Sequence, residues 1–189
     1  MLKSSLTGIA VASLLLGGAV AQAQSTEGAA EETQAADDTT MYPTWNIVQN
    51  VSRSADHSLL VELVKTADLV TTLSGEGPFT VFAPTNDAFN VFPEGAVDGL
   101  KKPENKAILS RILKYHVIPG KVTSEQLIAM IEAGGGSATL TTVEGTELTA
   151  TIVADKVKLS GSNGTAFVTT ADLEQSNGIV HSINGVVVP

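Results

Sequence analysis

Three histidines, His57, His116 and His181, are the side chains here whose ordinary titration falls nearest neutral pH, and none lies closer than 59 residues to the next (57 to 116). That separation excludes a local metal motif such as His-Glu-x-x-His. The chain also has no Gly-x-Ser-x-Gly nucleophile elbow and no phosphate-binding loop. Cysteine is absent, which removes disulfides, thiolate metal sites, cysteine nucleophiles and a lipoprotein anchor. A Ser/His/Asp site built on His116 or His181 stays open, because triads assemble in space. The preferred reading makes each histidine a hydrogen-bonded structural residue. No catalytic residue, metal site or cofactor is expected.

The residues that position these groups begin after Thr40. Lys3, the apolar run from Leu6 to Val20 and the small-x-small stretch Ala21-Gln22-Ala23 have the form of an export signal over residues 1–23. The run is about 15 residues, short of the ~20 that cross a bilayer. Residues 24–40 hold Glu27, Glu31, Glu32, Asp37 and Asp38 with no base and little apolar surface, and are expected to form a disordered acidic spacer. Residues 41–189 are expected to form one domain.

Charge argues against nucleic acid. The chain has 11 Lys and Arg against 20 Asp and Glu. Without Lys3 the balance is 10 − 20 = −10, and without the five spacer acids it is −5. Lys101, Lys102, Lys106, Arg111, Lys114 and Lys121 form one basic cluster, but no aromatics interleave them for base stacking. They are read as a solvated face balancing nearby acids. The acidic balance also disfavours anionic membranes.

Periodicity divides the domain. Ile47, Val48 and Val51 predict a short helix ending near Arg53-Ser54. Asp56 is a candidate N-cap for a second helix carrying Leu59, Leu60, Leu63 and Val64. Phe79 to Phe82 predicts a buried strand, and Pro84-Thr85 turns into a helical start capped by Thr85, with Asp87 in its first turn. Pro103 suits the first position of a longer helix burying Ile108, Leu109, Ile112 and Leu113. Thr123-Ser124-Glu125-Gln126 has the form of a capping box, and Gly134-Gly135-Gly136 stops that helix. Beyond it the period falls to two. Ala138 to Val143, Glu147 to Val153, Lys156 to Leu159 and Ala166 to Thr170 are strand candidates, with a hairpin at Asn163-Gly164. Asn177-Gly178 opens a last strand that contains an Asn184-Gly185 turn or bulge. A helical half followed by a meander is an α+β pattern.

Three blocks carry a resemblance. Thr80-Val81-Phe82-Ala83-Pro84-Thr85-Asn86-Asp87-Ala88-Phe89, Tyr115-His116, and Val180-His181-x-Ile183 with Val186-Val187 occur in the order found in the fasciclin domain family. The resemblance covers residues 41–189. It implies an α+β fold with a β-sheet wedge and helices packed against it. It further implies extracellular adhesion or matrix binding, sometimes small-ligand binding, without catalysis. Tyr115 and His116 match the family's Tyr-His element, which implies partner contact. Thr80, Phe82, Pro84, Thr85, Asn86, Asp87, Phe89, His181 and Ile183 match its structural motifs.

On their own chemistry, Phe79, Val81, Phe89, Val180 and Ile183 should be core. Thr85, Asn86 and Asp87 should fix the strand-to-helix turn through side-chain to backbone bonds. Tyr115 needs a partner for its hydroxyl, and His116 near a helix C-terminus should favour the protonated ring. Asn50-Val51-Ser52 and Asn163-Gly164-Thr165 have the form of glycosylation sequons, the second better explained as a turn. The leading expectation is a secreted or periplasmic module binding a cell-surface or matrix protein, a glycan or an envelope component. The alternative is a carrier of a small apolar ligand, with Val91 and Phe92 beside Pro93 the candidate exposed apolar sites. The third, an envelope hydrolase, requires a serine or acid within ~3 Å of a histidine in an open cleft.

Overall fold

The computed structural model describes residues 41–93 and 95–189; the expected signal segment and acidic spacer lie outside the described residues. Helix α1 (Ile47–Arg53) starts in a capping box. Asn46 Oδ1 accepts from the Gln49 N–H at 2.9 Å, and Gln49 Oε1 accepts from the Asn46 N–H at 3.0 Å. A 3₁₀ turn over Ala55–His57 intervenes, so α2 (Ser58–Thr66) begins one residue later than a cap at Asp56 predicts. The reason lies far along the chain. Asn86 Oδ1 accepts from the Leu59 N–H at 3.1 Å and satisfies one free donor of the helix start, leaving Asp56 no capping role. A four-residue helix, α3 (Val70–Leu73), completes the first cluster.

Strand β1 (Phe79–Pro84) is buried along almost its whole length and leads into a 3₁₀ turn over Asn86–Val91. Thr85 stands at the cap position, but its side chain makes no cap bond, contrary to expectation. Helix α4 (Ala96–Leu100) and a 3₁₀ turn opened by Pro103 precede α5 (Lys106–Tyr115). The buried stripe of α5 is Leu109, Leu113 and Tyr115, whereas Ile108 is 53% exposed. At 100° per residue Ile108 falls off the narrow i, i+4 stripe, which corrects the expectation that it is core. Strand β2 (Val117–Pro119) leads into α6 (Ser124–Ala133), whose predicted capping box between Thr123 and Gln126 is present.

The remaining strands are β3 (Ser137–Thr141), β4 (Glu147–Val153), β5 (Lys156–Ser160), β6 (Thr165–Gln175) and β7 (Gly178–Ile183). Their order in the seven-stranded sheet is β2-β1-β7-β6-β5-β4-β3. Only β1 and β7 run parallel, in register from Phe79 opposite Gly178 to Pro84 opposite Ile183. Covered on both faces, this central pair is continuously apolar rather than alternating. On one face Val81, Ala83 and Val180 pack against α1, α2, α3 and α5. On the other, Phe82 and Ile183 join Leu127 and Ile131 of α6 with Leu140, Leu148 and Leu159 of the meander. The sheet curls until its outer strands approach, and the Val143 N–H donates to the Val117 carbonyl at 2.8 Å.

Strand β6 runs five residues beyond its predicted end. Two register shifts, between Val168 and Thr170 and between Thr170 and Leu173, let a polar, exposed sequence keep pairing with β7. Strand β7 ends before Asn184, so the Asn184-Gly185 pair follows the strand rather than lying within it. Phe79, expected in the core, is only partly buried at its edge.

Candidate functional site

All three histidines point inward. His57 is 2% exposed, with Nδ1 2.8 Å from Ser54 Oγ and Nε2 3.2 Å from Ser182 Oγ. A serine therefore does meet a histidine, although at neither His116 nor His181, where sequence reasoning had looked. Ser54 and Ser182 are 3% and 5% exposed and no carboxylate orients the ring, so the group lacks both the cleft and the acid that acyl transfer needs. Burial lowers the His57 pKa against the opposing pull of Asp56.

His181 bridges three segments. Its Nδ1 accepts from the Asp172 N–H at 3.2 Å, its Nε2–H donates to the Val122 carbonyl at 2.9 Å, and its ring stacks on Phe82 at 5.5 Å. These partners settle a neutral ring, and burial lowers its pKa. Asp172 continues the link. Its carboxylate accepts from the Ser124 N–H at 2.8 Å and from the Ser124 hydroxyl, which ties the β6 bulge to the first turn of α6.

Tyr115 and His116, expected to touch a partner, are 1% and 3% exposed. The Tyr115 hydroxyl donates to the Glu147 carbonyl at 2.7 Å, and burial pushes its pKa up. The ring passes over Gly161, where a Cβ would sit 3.0 Å from Tyr115 Cε1 and 2.7 Å from the Val188 carbonyl oxygen. His116 Nδ1–H donates to the Ile112 carbonyl at 2.7 Å, and Nε2 accepts from the Val187 N–H at 3.3 Å. Complete burial lowers its pKa to about 4, so the apolar surroundings outweigh the helix C-terminus and the ring is neutral, not protonated.

The other motif residues divide between packing and bridging. Thr80 is fully buried; its hydroxyl donates to the Gly120 carbonyl at 2.7 Å and accepts from the Val122 N–H at 2.8 Å. Phe82, Pro84, Phe89 and Ile183 are buried. Asn86, beyond its bond to Leu59, donates from Nδ2 to the Ala55 carbonyl at 2.8 Å. Asp87 is exposed and accepts from Asn90 Nδ2 at 3.3 Å. Of the three expected turn residues, Asn86 alone bonds main chain through its side chain, and that main chain belongs to another element.

Asn177 does comparable work that sequence reasoning missed. Its Oδ1 accepts from the Ile47 N–H at 3.0 Å, while Nδ2 donates to the carbonyls of Leu73 and Gly75 at 2.8 and 3.0 Å. The available sequence signal was an Asn-Gly pair, which announces a turn but not these partners.

Two concavities matter for binding. An apolar cleft between α1, α2 and the sheet, walled by Ile47, Val51, Leu60, Val64, Val81 and Leu113, holds ≈ 30 Å³. That is room for about one water. An open groove of ≈ 750 Å³ lies beside Tyr115, lined by Arg111, Glu147, Thr149, Ser160 and Ser162 among others. Its size is that of a ligand site, although its lining is more polar than usual. Arg111 at its edge pairs with Glu144 at 2.8 Å; Lys101, Lys106 and Lys121 pair likewise with Glu62, Asp68 and Glu174. The basic cluster is thus interleaved with acids. Val91 is 73% exposed, with Phe92 half-buried beside it. Among the described residues no helix is long and apolar enough to cross a membrane, and no cluster of His, Asp and Glu could hold a metal.

Comparison with known proteins places this geometry. The family model described as the fasciclin domain matches residues 55–189. Protein sll1483 of Synechocystis sp. is 43% identical over 171 residues, spanning 90% of this chain and 86% of that protein. Human periostin is 30% identical over 124 residues, 66% of this chain but 13% of periostin. The immunogenic protein MPT70 of Mycobacterium tuberculosis is 33% identical over 122 residues, 65% of this chain and 55% of that protein. In fold, the chain is similar to a FAS1 domain pair from the insect cell adhesion molecule Fasciclin I, with a TM-score of 0.69 at 18% identity, covering 78% of this chain and 52% of that one. No enzyme family is indicated by these matches. With the helical half, the parallel β1–β7 pair and the Tyr115-His116 segment in place, the chain belongs to the fasciclin domain family.

Proposed function

We propose that this chain is a secreted or periplasmic, non-enzymatic binding module that attaches to a cell-surface or matrix protein, a glycan or an envelope component. The observation that carries the reading is the inward closure of every histidine: His57, His116 and His181 are each 3% exposed or less and hydrogen-bonded within the fold. Groups that could do chemistry thus serve as scaffold, and the outer surface is left to act. The relation to an insect cell adhesion molecule supports attachment as that action. Export is supported by the form of residues 1–23.

On this reading Tyr115 and His116 shape the surface from beneath. The groove above Tyr115, with its hydroxyls and the Arg111–Glu144 pair, suits a hydroxylated or mixed-charge partner. The test is binding of the purified chain to envelope fractions of its host, compared with Arg111→Glu and Thr149→Trp variants that keep the fold. Unchanged retention of both variants rules out the groove; no retention of the wild-type chain rules out attachment.

A second reading, carriage of a small apolar ligand, is favoured by the mainly apolar walls of the cleft beside α1 and α2, in which Ser52, Lys65 and His116 are the polar members. The cleft must widen several-fold to admit such a ligand. Native mass spectrometry of chain purified from its host separates the two: a bound mass of a few hundred daltons supports carriage, and a bare chain counts against it.

A further inference from the structure

The chain contains three Asn-Gly pairs, Asn163-Gly164, Asn177-Gly178 and Asn184-Gly185, and the fold treats their side-chain amides differently. Asn177 has its amide held by Ile47, Leu73 and Gly75. Asn184 Oδ1 accepts from the Phe167 N–H at 2.8 Å. The Asn163 side chain is exposed and makes no hydrogen bond. Its main chain, by contrast, is held on both sides: its N–H donates to the Val188 carbonyl at 3.0 Å, and its carbonyl accepts from the Val188 N–H at 2.7 Å. The next residue has to be glycine. Gly164 has φ +93°, and a Cβ there would sit 2.6 Å from the Val186 carbonyl oxygen. The fold therefore demands, directly after a free asparagine amide, the one residue whose backbone nitrogen is least shielded by a side chain.

We propose that Asn163 is a site of spontaneous deamidation in the folded protein. The Gly164 nitrogen, its proton taken by hydroxide, bonds to Asn163 Cγ; the Cγ–Nδ2 bond breaks and the amide nitrogen leaves as ammonia. Water then opens the five-membered imide at either carbonyl, leaving aspartate or isoaspartate. No oxidant or cofactor enters. Either product adds a negative charge one residue from Ser162 at the groove wall. Isoaspartate also lengthens the main chain by one carbon between the two bonds to Val188, which loosens the clasp on the segment after β7.

The test incubates the full chain, folded, in mildly alkaline buffer at physiological temperature, beside a sample in concentrated urea. Peptide mapping follows the one-dalton mass gain at each pair, and enzymatic isoaspartyl methylation follows the rearranged product. In the folded sample Asn163 should react about ten-fold or more faster than Asn177 and Asn184, whose held amides must first break free. In urea the three should react alike. Equal rates at the three sites in the folded sample, or an intact Asn163 there while the urea sample reacts, would overturn the proposal.

Discussion

Acidification should unfold this protein through His116 before its carboxylates are titrated. The ring is buried among Phe82, Leu113, Val117 and Val186 and folds neutral, with its pKa lowered from 6.5 to about 4 by desolvation. The unfolded chain takes up a proton near pH 6.5 that the folded chain refuses until about pH 4. Stability is therefore fully present above the unfolded value and falls as pH drops through that window, by about 3 kcal/mol for this ring alone. That is a large share of the ~5–15 kcal/mol typical of a domain. The pKa values of His57 and His181 are lowered too, so their contributions add in the same direction. Asp172, lowered from 3.8, loses its contribution only at more acid pH. Urea unfolding at a series of pH values between neutral and about pH 4 measures the slope. In His116→Asn, which keeps a donor for the Ile112 carbonyl, the protein should be less stable at neutral pH but its slope shallower. A wild-type midpoint that does not move across the window, or a variant with the full slope, would refute the reasoning.

Four substitutions probe other parts of the same frame. Asn177→Ala removes three bonds joining α1 and the end of α3 to the start of β7, and should cost about 2–3 kcal/mol in urea unfolding. Gly178→Ala drives a Cβ into the Phe79 carbonyl oxygen between the two central strands and should cost about 3 kcal/mol. Gly99→Ala, on α4 with open space around it, should leave the melting temperature unchanged or slightly raised. Tyr115→Phe frees the Glu147 carbonyl and should cost about 1 kcal/mol by calorimetry, while retention on envelope fractions stays as in the wild type.

What was legible in the sequence was local. The capping box at Thr123, the turn at Asn163-Gly164, the buried strand from Phe79 and the change of period after Gly136 depend on neighbours within a few residues. Bridges across the chain were not. Asn86 reaches Leu59 at a separation of 27 residues, His57 reaches Ser182 at 125 and Asn177 reaches Ile47 at 130. A polar residue in a turn advertises that it will bond, not with whom. The same limit explains α5, where four apolar residues in six offered two possible stripes and only packing against the sheet chose between them. It also explains the inward turn of Tyr115 and His116, since apolar neighbours on either side are compatible with a buried or a surface segment.

The parallel pairing of β1 with β7 has a kinetic consequence. Phe79 and Gly178 lie 99 residues apart (178 − 79), and both hydrophobic clusters draw on this pair. Until β7 has been made, β1 lacks its neighbour and neither cluster can close. Contacts of such long range make folding slow and late. A nascent chain of this kind stays open through most of its synthesis and, for that interval, depends on chaperones to shield its apolar strands.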